Sequence, residues 1–182
     1  RPESPLFGSI AEIPPPVGST LLFIENRGLA NASAPEANVA VDWPRLGKAG
    51  GLYLARQLGL TSRTEGGSTL AVQIEKYHHS DGGRTGSPLD KLRQLTTASV
   101  RTYHKGPDSR AARDEIVVDY LNTMPLAAAP GHGEVRGLGD GLRSWFGLDL
   151  GAVRDALSAR GAGPAKAEAY RHVLALLYAV RA

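Results

Sequence analysis

The sequence predicts a mainly α domain, and three observations carry that reading. Apolar residues recur at helical spacing in one segment after another: Leu89, Leu92, Leu95 and Val100; Ile116, Val117, Tyr120 and Leu121; Leu138, Leu142, Trp145 and Phe146; Val173, Leu174, Leu177 and Tyr178. Helix-opening signals precede several of them, Ser87-Pro88 being the plainest, with a serine N-cap and proline at the first helical position. The 22 glycines and 12 prolines cut the chain into short elements with little strand between them. The expectation is about seven or eight helices.

Taken in order, residues 1–19 are Pro-rich, with Pro14-Pro15-Pro16 predicting a stiff extended lead-in to a single domain over residues 20–182. Leu21-Leu22-Phe23-Ile24 is a short apolar run that suits a buried strand or the start of a helix, ending at Glu25-Asn26-Arg27. Residues 28–40 are small and polar and read as a loop. Asp42 caps a helix expected from Pro44 to about residue 59, weakened by Gly47, Gly50 and Gly51. Ser68 or Thr69 caps the next, on which Leu70, Ile74 and Tyr77 make an apolar stripe. The polar stretch 78–86 is a loop, and a helix follows from Ser87 to the break at Gly106-Pro107-Asp108. Further helices are expected at about 109–122, over the Leu138–Phe146 pattern, at 150–159 and at 165–181; residues 123–136, with Pro125, Pro130, Gly131 and Gly133, read as a loop.

With 182 residues, 42% hydrophobic and 21% charged, the chain can bury a real core and is of the soluble globular class. A net charge of +3 suits an anionic ligand but is too weak, without a Lys/Arg run, to argue for nucleic acid. Cysteine is absent, which removes disulfides, thiolate catalysis and cysteine-bound metal. No apolar run approaches the roughly 20 residues of a membrane span. The chain opens on Arg1 rather than Met, which reads as a domain of a longer protein whose anchor or export signal lies elsewhere.

Chemistry concentrates in residues 66–76. A glycine pair runs into Ser68-Thr69, and on the helix that follows Thr69, Gln73 and Lys76 share one face at i, i+4 and i+7. Backbone donors, hydroxyls, an amide and an ammonium converge there, a set that suits a phosphate. Glu25, at the end of an apolar run, has the setting of an acid or base; the plain alternative is a surface carboxylate paired with Arg27. His78 and His79 are adjacent and point about 100° apart on a helix, so they do not form a metal pair. Gly137-Leu138-Gly139-Asp140-Gly141 has no predicted strand before it and no βαβ unit around it, and fails as a dinucleotide loop. Asp114, Glu115 and Asp119 read as the solvated face of their helix.

Several of these segments, in this order, resemble the motifs of the family 51 glycosyltransferases, the peptidoglycan transglycosylase domains of class A penicillin-binding proteins and their monofunctional relatives. Glu25-Asn26-Arg27, with Val41-Asp42-Trp43 beyond it, resembles the family's first motif, E-D-R-R-F-Y with a later G-x-D-W. Gly66, Gly67, Ser68, Thr69, Gln73 and Lys76 match its second, G-G-S-T-I-T-Q-Q-L-x-K-N, while Ala71, Val72 and Tyr77 differ. Residues 114–122, ending Tyr120-Leu121-Asn122, are similar to K-x-E-I-L-E-x-Y-L-N, and residues 131–147 to the glycine-rich run that closes on Y-F-G.

The resemblance implies a lysozyme-like fold of two lobes, the smaller seated on the membrane. It implies a bacterial envelope protein at the periplasmic face of the inner membrane, acting on lipid II, a polyprenyl-pyrophosphate disaccharide-pentapeptide. By match Glu25 is the base on the acceptor 4-hydroxyl, and Arg27, Ser68, Thr69, Gln73 and Lys76 line the donor pyrophosphate, with Mg2+ or Mn2+ in many members. The chain departs from the pattern at the third motif, R-K-x-x-E. No acid stands between Asp90 and Asp108, and Gln94 or Leu95 takes the glutamate's place according to register. An amide hydrogen-bonds but neither carries charge nor coordinates metal well. Two functions therefore stay open: a divergent transglycosylase, or a domain that binds lipid II, glycan or a partner without chemistry. A lysozyme-type hydrolase ranks last, because it needs a second carboxylate and has no use for a pyrophosphate cradle.

Overall fold

The computed structural model describes residues 6–25, 38, 47–48, 51–52, 55–60, 70–79, 96–100, 102–104 and 106–180. Among them the fold is mainly helical, with one two-stranded sheet. The chain divides into two compact units, one of residues 1–30 and 114–182, the other of residues 31–113.

The first unit begins with a 3-10 turn, Ile10–Glu12, and helix α1, Pro15–Glu25. The expected extended lead-in is replaced by a helix that starts on the prolines. Pro14 contributes the carbonyl that accepts from Val17 and Gly18, while Pro15 and Pro16 occupy the first turn, where a missing N–H costs nothing. The run Leu21-Leu22-Phe23-Ile24 is thus helix, not strand. Helix α1 buries Val17, Leu21 and Glu25, one row at i, i+4 and i+8, and Thr20 hydrogen-bonds Tyr170 hydroxyl to hydroxyl at 2.6 Å.

Helix α2, Leu70–His79, lies in the second unit and buries Leu70, Ala71, Val72 and Ile74. The chain is also helical at 47–48, 51–52, 55–57, 96–100 and 102–103, within the spans expected for two helices. The stripe residue Tyr77 and the capping residues Ser68 and Thr69 lie outside what is described of side chains or backbone.

Helix α3, Arg110–Thr123, is followed by an antiparallel hairpin of β1, Pro125–Ala129, and β2, Gly133–Arg136. Residues 123–136 were expected as loop. The strands pair Leu126 with Val135 and Ala129 with Gly133, with a bulge between those pairs. Leu126, Ala129 and Val135 face inward, so the alanine-rich strand is held by packing rather than by intrinsic strand preference. Three helices complete the unit: α4, Gly137–Phe146; α5, Leu150–Ser158, capped by the Asp149 carboxylate, which accepts from Ala152 N at 2.9 Å; and α6, Pro164–Ala179. Helix α6 packs on α1, α4, α5 and β1, and its Val173, Leu176 and Leu177 are buried in the core.

The glycines of α4 serve this packing. Gly137 has φ +78°, and a Cβ there would lie 2.3 Å from the Asn122 carbonyl oxygen. A Cβ on Gly141 would meet Leu126 Cδ1 at 2.5 Å. The α3 backbone therefore approaches Gly137 as only glycine permits, while at Gly141 the Leu126 side chain would have to shift.

Candidate active site

Glu25 is the best defined of the expected site residues. It is the last residue of α1 and only 4% exposed. The cause is helical geometry: a helix that buries Val17 and Leu21 carries the same row on to position 25, so a carboxyl ends an otherwise apolar stripe. Its neighbour Phe23, on the opposite side of the helix, is 62% exposed. A buried carboxyl at a helix end is set by main-chain geometry rather than by a flexible loop, the requirement for a base that must meet one hydroxyl.

Gln73 is half-buried on α2, and Lys76 stands three residues further along the same helix, as the i, i+3 relation requires. Leu70, Ala71, Val72 and Ile74 anchor that helix by its first turn, which fixes the direction in which its N-terminus points. Arg27, Ser68, Thr69 and Gln94 lie outside the described residues, as does the side chain of Lys76. Glu25 belongs to the first unit, and Gln73 and Lys76 to the second.

The acids left over by the site are engaged elsewhere. Glu134 pairs with Arg136 at 3.0 Å in the hairpin, and Asp140 with Arg143 at 3.7 Å on α4. Asp114 and Glu115 are exposed on α3, as their pattern predicts, and Asp119 is half-buried. Asp108 precedes α3 and accepts from Arg110 Nε at 2.9 Å and from Arg110 N at 3.0 Å; these bonds hold its carboxyl down at about 2. Among the described residues no three His, Asp or Glu side chains cluster to hold a metal ion. No helix among them is long and apolar enough to cross a membrane.

Sequence reasoning assigned no task to Asn122. Its side-chain amide makes two hydrogen bonds to the backbone of Phe7: Phe7 N donates to Oδ1 at 3.0 Å, and Nδ2 donates to Phe7 O at 2.9 Å. An asparagine closing a Tyr-Leu-Asn run at a helix end is the available signal, but its partner lies 115 positions away in the sequence and no local pattern discloses it.

No curated protein matches the chain. The model of one protein family, described as Transglycosylase, matches residues 2–171. That span takes in α1 with Glu25, the Gly66–Lys76 segment, and everything from α3 to the middle of α6. The mainly helical architecture agrees with the lysozyme-like fold expected of such a domain. The chain therefore belongs to the transglycosylase family, the family 51 glycosyltransferase domains of peptidoglycan synthesis.

Proposed function

We propose that this domain extends peptidoglycan glycan strands from lipid II, with Glu25 as the base. Glu25 takes the proton from the acceptor 4-hydroxyl as that oxygen bonds to the donor anomeric carbon, and the bond from that carbon to the pyrophosphate breaks. Arg27, Ser68, Thr69, Gln73 and Lys76 line the leaving pyrophosphate, whose growing charge their donors stabilise. The observation that carries this reading is the burial of Glu25 at the end of the apolar row of α1, in a chain of this family. The domain works at the periplasmic face of the inner membrane, where its polyprenyl substrate resides.

The residues do not match a divalent-ion cage. Hard cations take several carboxylate or carbonyl oxygens, and the segment from Lys91 to Pro107 offers no carboxylate, with Gln94 or Leu95 at the place of the family's glutamate. No step is assigned to Mg2+ or Mn2+. Dependence on either ion is read by running the same assay with and without it.

That missing acid favours a second reading, a domain that binds lipid II or glycan without turning it over. Replacing a catalytic acid commonly costs orders of magnitude in rate while leaving the binding groups in place. Polymerisation of labelled lipid II by the purified domain, beside Glu25→Gln and beside a binding isotherm, separates the two. Strands that vanish in Glu25→Gln support the transferase; saturable binding without strands supports the binder.

A further inference from the structure

We infer that Asn122 is a positioning residue for α1, and through that helix sets the depth at which Glu25 sits. The inference rests on Glu25 being the base as regards rate, but its structural part stands independently of any reaction.

Asn122 grips Phe7 by both backbone groups, at 3.0 and 2.9 Å, and Phe7 itself is buried at 4% exposure. The link between this grip and α1 is short and mostly hydrogen-bonded. Gly8 N donates to Glu12 Oε2 at 3.1 Å, Glu12 N to Ser9 O at 3.2 Å, and Ile13 N to Ile10 O at 3.1 Å. Val17 N then donates to Pro14 O at 2.8 Å, and Pro14, Pro15 and Pro16 lock the φ angles at the junction. From the clamp to the first turn of the helix the chain is thus hydrogen-bonded up to Ile13 and again from Pro14, with only the Ile13–Pro14 link between the two turns.

Asn122 is well placed to be the fixed end. It lies at the end of α3, between the fully buried Leu121 and Met124, and its own carbonyl faces Gly137 at a distance that excludes any Cβ. Gly137 N donates to Met124 O at 2.9 Å, which ties α4 to the same point. The residue thus refers the N-terminal run to the junction of α3, the hairpin and α4.

The consequence for Glu25 follows from the rigidity of a helix. An α-helix of this length is about 15 Å long and transmits an axial slip from one end to the other undiminished. The apolar row of Val17 and Leu21 holds the helix to the core, and the Thr20–Tyr170 hydrogen bond at 2.6 Å ties its middle to α6. The Asn122 pair adds a second directional tie, at the N-terminal end, and with both ends of that segment held the helix has one axial position. A shift of about 1 Å in a reacting group can cost about 100-fold in rate.

The test compares wild type, Asn122→Ala and the milder Asn122→Asp, which keeps the acceptor for Phe7 N and loses the donor to Phe7 O. Amide hydrogen exchange across Val17–Glu25 is the primary readout, since it requires no activity. The inference expects exchange in this stretch to quicken at least tenfold in Asn122→Ala, with a smaller effect in Asn122→Asp, while α4, α5 and α6 keep their protection. Loosening confined to residues 6–9 would overturn it, and so would uniform loosening of all the helices. Should Asn122→Ala not fold, Asn122→Asp decides by the same criterion. In lipid II polymerisation, kcat per folded molecule should fall about 10- to 100-fold with KM within twofold. Unchanged kcat beside a loosened α1 would overturn the link to Glu25. A wild type that forms no strands would tell against the transferase reading, and the exchange pattern would still decide the clamp.

Discussion

At the scale of single residues, Glu25, proposed as the base, is the carboxyl that ends the buried row of α1. It was legible as a candidate because a carboxylate closes an apolar run; its burial was not, since that depends on α1 starting at the prolines and so setting the row of Val17 and Leu21. Asp108 illustrates a residue whose state can be checked directly. Its carboxyl is held at about 2, below the 3.8 of a free side chain, by its bonds to Arg110. Because the folded value is depressed, the pair's contribution to stability is complete above the unfolded value, at about pH 4, and is lost as pH falls through about 2. The group is fully exposed, so this contribution is small. A carboxyl-carbon NMR titration should give a midpoint near 2 in wild type and a higher one in Arg110→Ala, which loses the guanidinium bonds and keeps the backbone bond from residue 110. Gly137 makes a sharper case: a methyl group there meets the Asn122 carbonyl at 2.3 Å on a backbone with φ +78°. Gly137→Ala should therefore destabilise the domain by about 2–4 kcal/mol in urea unfolding, whereas an effect below 1 kcal/mol would mean that α3 and α4 move apart easily.

At the scale of elements, most of the helices were readable and the exceptions have physical causes. Helices α3, α4, α5 and α6 fall within one or two residues of the expectation, because each carries an apolar stripe bounded by turn or capping residues. Helix α1 was half hidden: three prolines suggest an extended chain unless their place in the first turn of a helix is considered. The hairpin was hidden altogether, since Pro125–Ala129 has no strand-forming residue type and acquires its conformation from the core beneath Leu126 and Ala129. The cap of α5 is open to a simple check. Asp149→Ala removes the acceptor for Ala152 N and should cost about 1 kcal/mol of stability, while Asp149→Asn should cost little, both read by thermal or urea melting. On α2, Lys76→Ala should weaken binding of a lipid II analogue about 10-fold if its ammonium meets the pyrophosphate, as charge-assisted bonds of this kind predict; unchanged affinity would remove Lys76 from the site.

For the molecule as a whole, the family motifs divide into two kinds of work. The first and second motifs hold the groups proposed for chemistry, Glu25 on one unit and Gln73 and Lys76 on the other. The Tyr-Leu-Asn run and the glycines of α4 hold the first unit together: Tyr120 and Leu121 fill its core, Asn122 fastens the N-terminal run, and Gly137 and Gly141 admit close neighbours. A strand, β2, does precede this glycine-rich string, against expectation, but it belongs to an antiparallel hairpin and not to a βαβ unit, and the string is a packing device here. The departure at Gln94 or Leu95 is legible in the sequence alone, and it bears on rate more than on binding. The most direct measurement is the rate of lipid II polymerisation by the purified domain and by Glu25→Gln, on preparations shown to be equally folded and equally able to bind the substrate. Glu25 as base predicts glycan strands from wild type and a rate about 100- to 10,000-fold lower in Glu25→Gln at similar affinity. Strands formed equally well by both proteins would contradict it.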